Sequence, residues 1–202
     1  MARANNRHRL PVYPTYTEVH RLLAACENER DRMLIALLWH TGARVSEVLQ
    51  ARVGDITENG IRLLNLKQGP GAAKHVYLTP DFLAELRAYV RGKAPTDHII
   101  TSLAGAKPIS RVRAWQIVVG ASLRSNLVKT KQIVHGDGSV SRVVRPLWTH
   151  SLRHGNAIRL LESDVPISVV QQQLGHADLG STTVYVQFAD KHRKAMVQNV
   201  QF

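Results

Sequence analysis

The C-terminal part of the chain concentrates side chains that bind or attack phosphate groups. In fewer than forty residues it places two imidazoles, a guanidinium and a phenol, which belong to His150, Arg153, His176 and Tyr185. A phenol is a poor nucleophile at neutral pH, but it can attack a phosphate whose charge is neutralised by Arg and His donors. This segment therefore predicts a phosphate-binding pocket with Tyr185 directed into it.

Apolar spacing upstream predicts a mainly helical core. Thr15 and Glu18 fit a capping box, which predicts that a first helix spans residues 16–28. Residues 29–40 are apolar on most of their circumference, which is typical of a central helix. Gly42 ends this second helix, and Arg44 follows almost directly. Arg44 can leave the core to meet a ligand, but its local sequence alone favours a surface pair with Glu47, three residues along.

Two apolar runs, at residues 61–66 and 75–78, predict a first β-hairpin around a turn rich in Gly and Pro. Lys67 and Lys74 stand at the two shoulders of this turn. A lysine in that position can swing towards a substrate oxygen or remain solvated, and for Lys74 the solvated alternative is favoured.

A Gly-Asp-Gly turn between β-branched runs predicts a second hairpin, with strands at about 129–134 and 140–145. Its strands carry four basic side chains: Lys129, Lys131, Arg142 and Arg145. This density indicates a ribbon that lies against DNA phosphates. Helices and hairpins together predict a mixed α+β fold that is mainly helical, with a small β-hairpin sheet.

The charge balance indicates a polyanionic partner. The chain has 27 Lys and Arg against 15 Asp and Glu, a net charge of +12 and a pI near 10.4. This imbalance fits a polyanionic partner, most simply nucleic acid, but charge alone does not separate that interpretation from a merely basic protein. Cys26 is the single cysteine, which excludes an internal disulfide and indicates a reducing compartment. No apolar run reaches a membrane-spanning length, and no Cys/His spacing suits zinc. Residues 1–14 are predicted to form a flexible basic arm.

Four motifs occur in the order found in the tyrosine recombinase (phage integrase) family, which the chain resembles. Residues 41–47 resemble the family's first Arg box, 150–154 its His-x-x-Arg box, 174–178 its Leu-Gly-His box and 181–185 its nucleophile segment. The ordered set is more specific than any single motif. It implies the family's catalytic-domain fold over residues 15–202. No separate N-terminal core-binding domain is expected in the chain, which departs from the usual family pattern and predicts either a minimal single-domain recombinase or a fragment of a longer protein.

The resemblance implies a strand-cleavage mechanism that needs no metal or nucleotide cofactor. Tyr185 attacks a scissile DNA phosphate and forms a 3′-phosphotyrosyl bond. Arg44, Arg153 and His176 hold the non-bridging oxygens and stabilise charge in the transition state. His150 assists as a proton acceptor.

Lys67 matches the family's hairpin lysine, which implies that it protonates the departing 5′ oxygen. Lys74 is the competitor for that role, because the Gly-Pro-Gly turn departs from the family pattern. Glu47 is expected to orient Arg44. DNA contacts outside the pocket are assigned to Lys74 and to the four basic residues of the second hairpin.

These features predict a site-specific DNA recombinase that cleaves and rejoins double-stranded DNA during integration, excision, inversion or resolution. It is expected to act as a homo-oligomer, a dimer or tetramer on paired sites, in the cytoplasm of a bacterium, encoded there or by a phage, plasmid or other mobile element. Two alternatives are a catalytically idle DNA-binding regulator and a type IB topoisomerase-like enzyme. The complete set of catalytic residue types argues against the idle regulator.

Overall fold

The computed structural model describes residues 12–65, 69, 71–102 and 105–175. Its helices are α1 (Tyr16–Ala24), α2 (Glu29–Thr41), α3 (Val45–Gln50), α4 (Pro80–Tyr89), α5 (Arg111–Arg124), α6 (Thr149–Glu162) and α7 (Ile167–Leu174). Its strands are β1 (Gly60–Leu64), β2 (Ala73–Tyr77), β3 (Thr101–Ser102), β4 (Gly105–Pro108), β5 (Val128–Val134) and β6 (Val140–Pro146). The strands pair as three antiparallel two-stranded sheets in chain order, which confirms the mainly helical mixed α+β class.

Helix α2 is the centre of the core. Every residue from Met33 to Trp39 is buried, because the helix contacts α1, α4, α5 and α6 on different sides. Asn28 begins the helix by accepting a hydrogen bond from the Asp31 amide. Gly42 ends it with a left-handed φ of +58°, a conformation that glycine adopts without steric cost. The chain therefore turns at Gly42 while Ala43 is still buried, and Arg44 is the first partly exposed residue after the turn.

The end of α1 differs from the sequence prediction for a local reason. Helix α1 ends at Ala24 rather than near residue 28, because Asn28 takes an extended conformation, with φ of −155°, to cap α2. Helix α6 begins at Thr149, with Trp148 as the N-cap residue, and the Ser151 hydroxyl accepts a hydrogen bond from the Trp148 amide at 3.3 Å.

The second hairpin, β5–β6, runs in unbroken register from Val128 opposite Pro146 to Val134 opposite Val140. Its base is fastened to α5 by the buried Ser122 hydroxyl, which accepts from the Leu147 amide at 2.8 Å and donates to the Leu127 carbonyl. The predicted ribbon is therefore a defined element attached firmly at one end.

Candidate active site

Arg44 and Glu47 are brought together by the start of α3. Arg44 is the N-cap residue, and its amide donates to Glu47 Oε2 at 3.1 Å. Its guanidinium Nη1 donates to Glu47 Oε1 at 2.8 Å. The Glu47 side chain is fully buried, whereas that of Arg44 is 20% exposed. Arg44 was expected either to meet a ligand or to pair with Glu47. It does pair with Glu47, and its side chain remains accessible to a ligand.

Lys74 joins the same carboxylate from strand β2. Its Nζ lies 3.1 Å from Glu47 Oε2 and donates to the Leu174 carbonyl at 2.8 Å. The Lys74 side chain is only 7% exposed, so the expectation of a solvated turn residue is wrong. The reason is strand alternation, since Lys74 shares the inward face of β2 with the buried Val76.

Arg153 reaches the cluster from the second turn of α6 and is buried. Its Nη1 donates to the Gly42 carbonyl at 2.7 Å, and its Nη2 donates to the Leu174 carbonyl at 3.0 Å. One guanidinium thus binds the C-terminal ends of both α2 and α7, where exposed carbonyls favour a positive charge. We refer to Arg44, Glu47, Lys74 and Arg153 as the arginine–lysine cluster.

The charges within the cluster are mutually dependent. Burial alone would raise the pKa of the Glu47 carboxyl, but the Lys74 charge and the hydrogen bonds from Arg44 outweigh burial and hold that pKa below its usual range. Burial, together with the nearby Arg153 and Arg44 charges, lowers the pKa of Lys74 to about 8 in spite of Glu47. At neutral pH the cluster therefore keeps three cations around one carboxylate, an excess of positive charge suited to an anionic ligand.

His150 lies one turn before Arg153 on α6. Partial burial lowers the pKa of its imidazole, and the positive charges of Arg153 and Arg44 lower it further. The ring is therefore neutral at pH 7 and able to accept a proton.

Three predicted catalytic residues, Lys67, His176 and Tyr185, lie outside the described residues. Of these, His176 directly follows Gly175 in the sequence. Gly175 in turn follows Leu174, whose carbonyl accepts hydrogen bonds from both Lys74 and Arg153. Gln173, whose amide contacts strand β2, was not among the residues predicted from the sequence. A glutamine in a run of three carried no local signal that distinguished it from Gln171 and Gln172.

The predicted DNA-contacting residues outside the pocket do not form one uniform set. Lys129 makes a salt bridge to Glu18 of α1, whereas Arg145 is exposed. The side chains of Lys131 and Arg142 are outside the part of the structure that is described. The Lys74 ammonium binds Glu47 and the Leu174 carbonyl within the cluster.

Gly175 is positioned where no other residue fits without strain. Its φ is +66°, and a Cβ added there would stand 2.7 Å from Lys74 Cδ. We expect Gly175→Ala to lower the free energy of unfolding by roughly 1–3 kcal/mol and to displace Lys74. Thermal unfolding and DNA cleavage would both be measured.

Gly138 provides the matched control, because its φ is +82° and nothing lies within 4 Å of the position of an added Cβ. Gly138→Ala carries the backbone strain without the collision, so it should lose stability while it keeps cleavage. Equal loss of cleavage in both variants would contradict the role given to the space around Lys74.

Neither a metal site nor a membrane span was found in the described residues. They contain no group of three or more His, Cys, Asp or Glu that could hold a metal ion. None of the helices among them is both long and apolar enough to cross a bilayer.

Comparison with known proteins identifies the family. The model of the Phage integrase family matches residues 14–192, so the chain belongs to this family. A tyrosine recombinase of Pseudothermotoga lettingae is 29% identical over 191 residues, which cover 93% of the chain and 60% of that protein. The chain thus spans about three fifths of the length of this curated relative.

Solved structures support the fold. A XerA recombinase crystal structure superposes with a TM-score of 0.72 at 20% identity, covering 96% of the chain and 68% of that protein. The XerH site-specific recombinase bound to its difH substrate in a pre-cleavage complex superposes with a TM-score of 0.65 at 22% identity, covering 91% of the chain and 52% of that protein. The fold is therefore that of a tyrosine recombinase catalytic domain.

Proposed function

We propose that the chain is the catalytic domain, over residues 15–202, of a site-specific DNA recombinase that cleaves and rejoins double-stranded DNA. The observation that carries this proposal is the arginine–lysine cluster, in which two arginines and a lysine converge beside the residue that precedes His176. A compact group of cations with one orienting carboxylate is suited to a phosphodiester. The XerH site-specific recombinase, which has a similar fold, is bound to its difH substrate.

In the proposed reaction, the Tyr185 oxygen attacks the scissile phosphorus, and the bond from phosphorus to the 5′ oxygen breaks. The phenol proton passes to His150, and Lys67 protonates the departing 5′ oxygen. Arg44 and Arg153 stabilise the charge that develops on the non-bridging oxygens, together with His176. Attack by a 5′ hydroxyl on the phosphotyrosine reverses these steps and reseals the strand.

The protein is proposed to act as a dimer or tetramer on paired DNA sites in the cytoplasm.

The salt dependence of DNA binding should reveal the part that the β5–β6 ribbon plays. Because Arg145 is exposed and Lys129 is already paired with Glu18, Arg145→Ala should reduce the slope of log K against log salt by about 0.9. Lys129→Ala is the control and should change the slope by less than half as much. Equal slopes for wild type and Arg145→Ala would remove Arg145 from the DNA-contacting set.

The direct test of the proposal uses a nicked suicide DNA site, in which the short cleaved strand diffuses away and prevents resealing. The wild-type protein should give a covalent protein–DNA band on a denaturing gel, with equal yield in the presence of a chelator. Mass spectrometry should locate the nucleotide on the peptide that contains Tyr185. No covalent band on any site bound by the protein, or a band that the chelator abolishes, would contradict the proposal.

A further inference from the structure

The side chain of Gln173 binds the edge of strand β2 through both ends of its amide. The Tyr77 backbone N–H donates to Gln173 Oε1 at 3.3 Å, and Gln173 Nε2 donates to the Tyr77 carbonyl at 2.9 Å. Within the described part of the chain the β1–β2 sheet has two strands, so Gln173 occupies the place that the peptide group of a third strand would take.

The next residue of α7 is held to the same strand. The Leu174 carbonyl accepts from Lys74 Nζ at 2.8 Å and from Arg153 Nη2 at 3.0 Å. Gln173 and Leu174 therefore attach the last turn of α7 to β2 at two positions, Tyr77 and Lys74. On its other face, α7 packs through apolar side chains that belong to a cluster with α6.

The two attachments to β2 differ in chemical character. The Lys74 contact depends on an ammonium group that also binds Glu47, and an anionic ligand in the cluster would compete for it. The amide contact of Gln173 carries no charge and lies at the exposed edge of the strand. A bound phosphate therefore has no charge to compete for at this contact.

We propose that Gln173 is a positioning residue for the cleavage reaction. By fixing the last turn of α7 on β2, its amide sets where the chain leaves Gly175, ahead of His176 and Tyr185 in the sequence, relative to the arginine–lysine cluster. The catalytic part of this inference rests on the proposed function, whereas the contact itself does not.

The variant that tests the inference is Gln173→Met, because methionine keeps the length of the side chain and its helix propensity but has no donor for the Tyr77 carbonyl and only a weak acceptor for the Tyr77 amide. Gln172→Met is the matched control, since Gln172 is the exposed neighbour on the same helix. Two measurements are needed. Hydrogen exchange at the Tyr77 amide reports the contact without any DNA, and single-turnover cleavage of the suicide site over a range of DNA concentrations reports positioning.

In Gln173→Met we expect faster exchange at the Tyr77 amide and a cleavage rate at saturating DNA that is reduced roughly tenfold, because a misplaced nucleophile loses alignment. The DNA concentration for half-maximal rate should remain within about twofold of wild type. Gln172→Met should match wild type in both measurements. A merely structural role would instead lower the melting temperature and shift the half-maximal concentration with the rate.

Unchanged exchange at Tyr77 in Gln173→Met would overturn the contact, and an unchanged cleavage rate would overturn the positioning role. If wild type cleaves no site that it binds, the proposed function fails and the catalytic part of the inference fails with it. The exchange comparison then still decides whether Gln173 holds α7 on β2.

Discussion

Tyr185→Phe is expected to form no covalent complex with a suicide site, which corresponds to a loss of more than about a thousandfold in cleavage. Phenylalanine lacks the oxygen that must form the bond to phosphorus. Affinity for intact DNA should stay near wild type, because the cluster that would hold the phosphate is built from other residues. Gel electrophoresis under denaturing conditions and a binding assay on the same site give the two results.

Tyr77→Phe is the control for this experiment. Tyr77 is a tyrosine with 65% of its surface exposed, and only its backbone takes part in the contact with Gln173. It should cleave like wild type. Covalent complex in Tyr185→Phe at the wild-type level would show that the nucleophile is a different residue. A regulator with idle chemistry would give no covalent complex in either variant or in wild type.

The DNA products formed when resealing is allowed distinguish a recombinase from a topoisomerase-like enzyme. Both would form the Tyr185 intermediate, so the suicide site cannot distinguish them. A recombinase should join strands from two sites, whereas a topoisomerase-like enzyme should relax supercoiled DNA that contains one site. Products from paired sites that carry exchanged flanking sequences would support the recombinase.

Local features of the sequence predicted the parts of the fold that local interactions determine. The glycine stop at Gly42, the Arg44–Glu47 pair and the β5–β6 turn each depend on residues within a few positions of one another. Interactions of this kind have the same energetic basis in a short segment as in the folded chain. The same reasoning missed β3–β4, whose strands are short and whose register shifts between Thr101 and Ser102.

The site itself depended on contacts that a local pattern does not contain. Arg153 binds the Gly42 carbonyl across 111 positions, and Lys74 binds the Leu174 carbonyl across 100 positions. The resemblance to a family predicted that the arginines act together, but it did not predict the burial of Lys74. Alternation along β2 was the available signal, because Val76 is apolar and Lys74 lies on the same face. The glycine- and proline-rich turn nearby favoured solvation more strongly.

Two lysines compete for the role of general acid, and replacement of each by methionine should separate them. Lys67→Met is expected to slow cleavage of an ordinary site by about 10²–10⁴-fold, the usual contribution of a general acid. Lys74→Met should also slow cleavage, but for a different reason. Its ammonium already binds Glu47 Oε2 and the Leu174 carbonyl, so its loss disturbs Arg44 and the end of α7 rather than the departing oxygen.

A DNA site with sulfur in place of the bridging 5′ oxygen distinguishes these two causes. A thiolate needs no proton in order to leave, because the pKa of a thiol, about 8.5, lies far below that of an alcohol. Lys67→Met should therefore cleave the sulfur site at nearly the wild-type rate. Lys74→Met should remain slow on it, since misalignment of the nucleophile and of Arg44 affects both sites equally.

The opposite result is equally informative about the pocket. Recovery of Lys74→Met on the sulfur site, without recovery of Lys67→Met, would make Lys74 the proton donor. The wild-type rate on the oxygen site would then fall as pH rises through about 8, the lowered pKa of Lys74, because only the ammonium form can donate. The same fall should be absent on the sulfur site. If Lys67 is the donor, a decline near pH 8 would instead affect both sites, since deprotonation of Lys74 removes a cation from Glu47 whichever atom leaves.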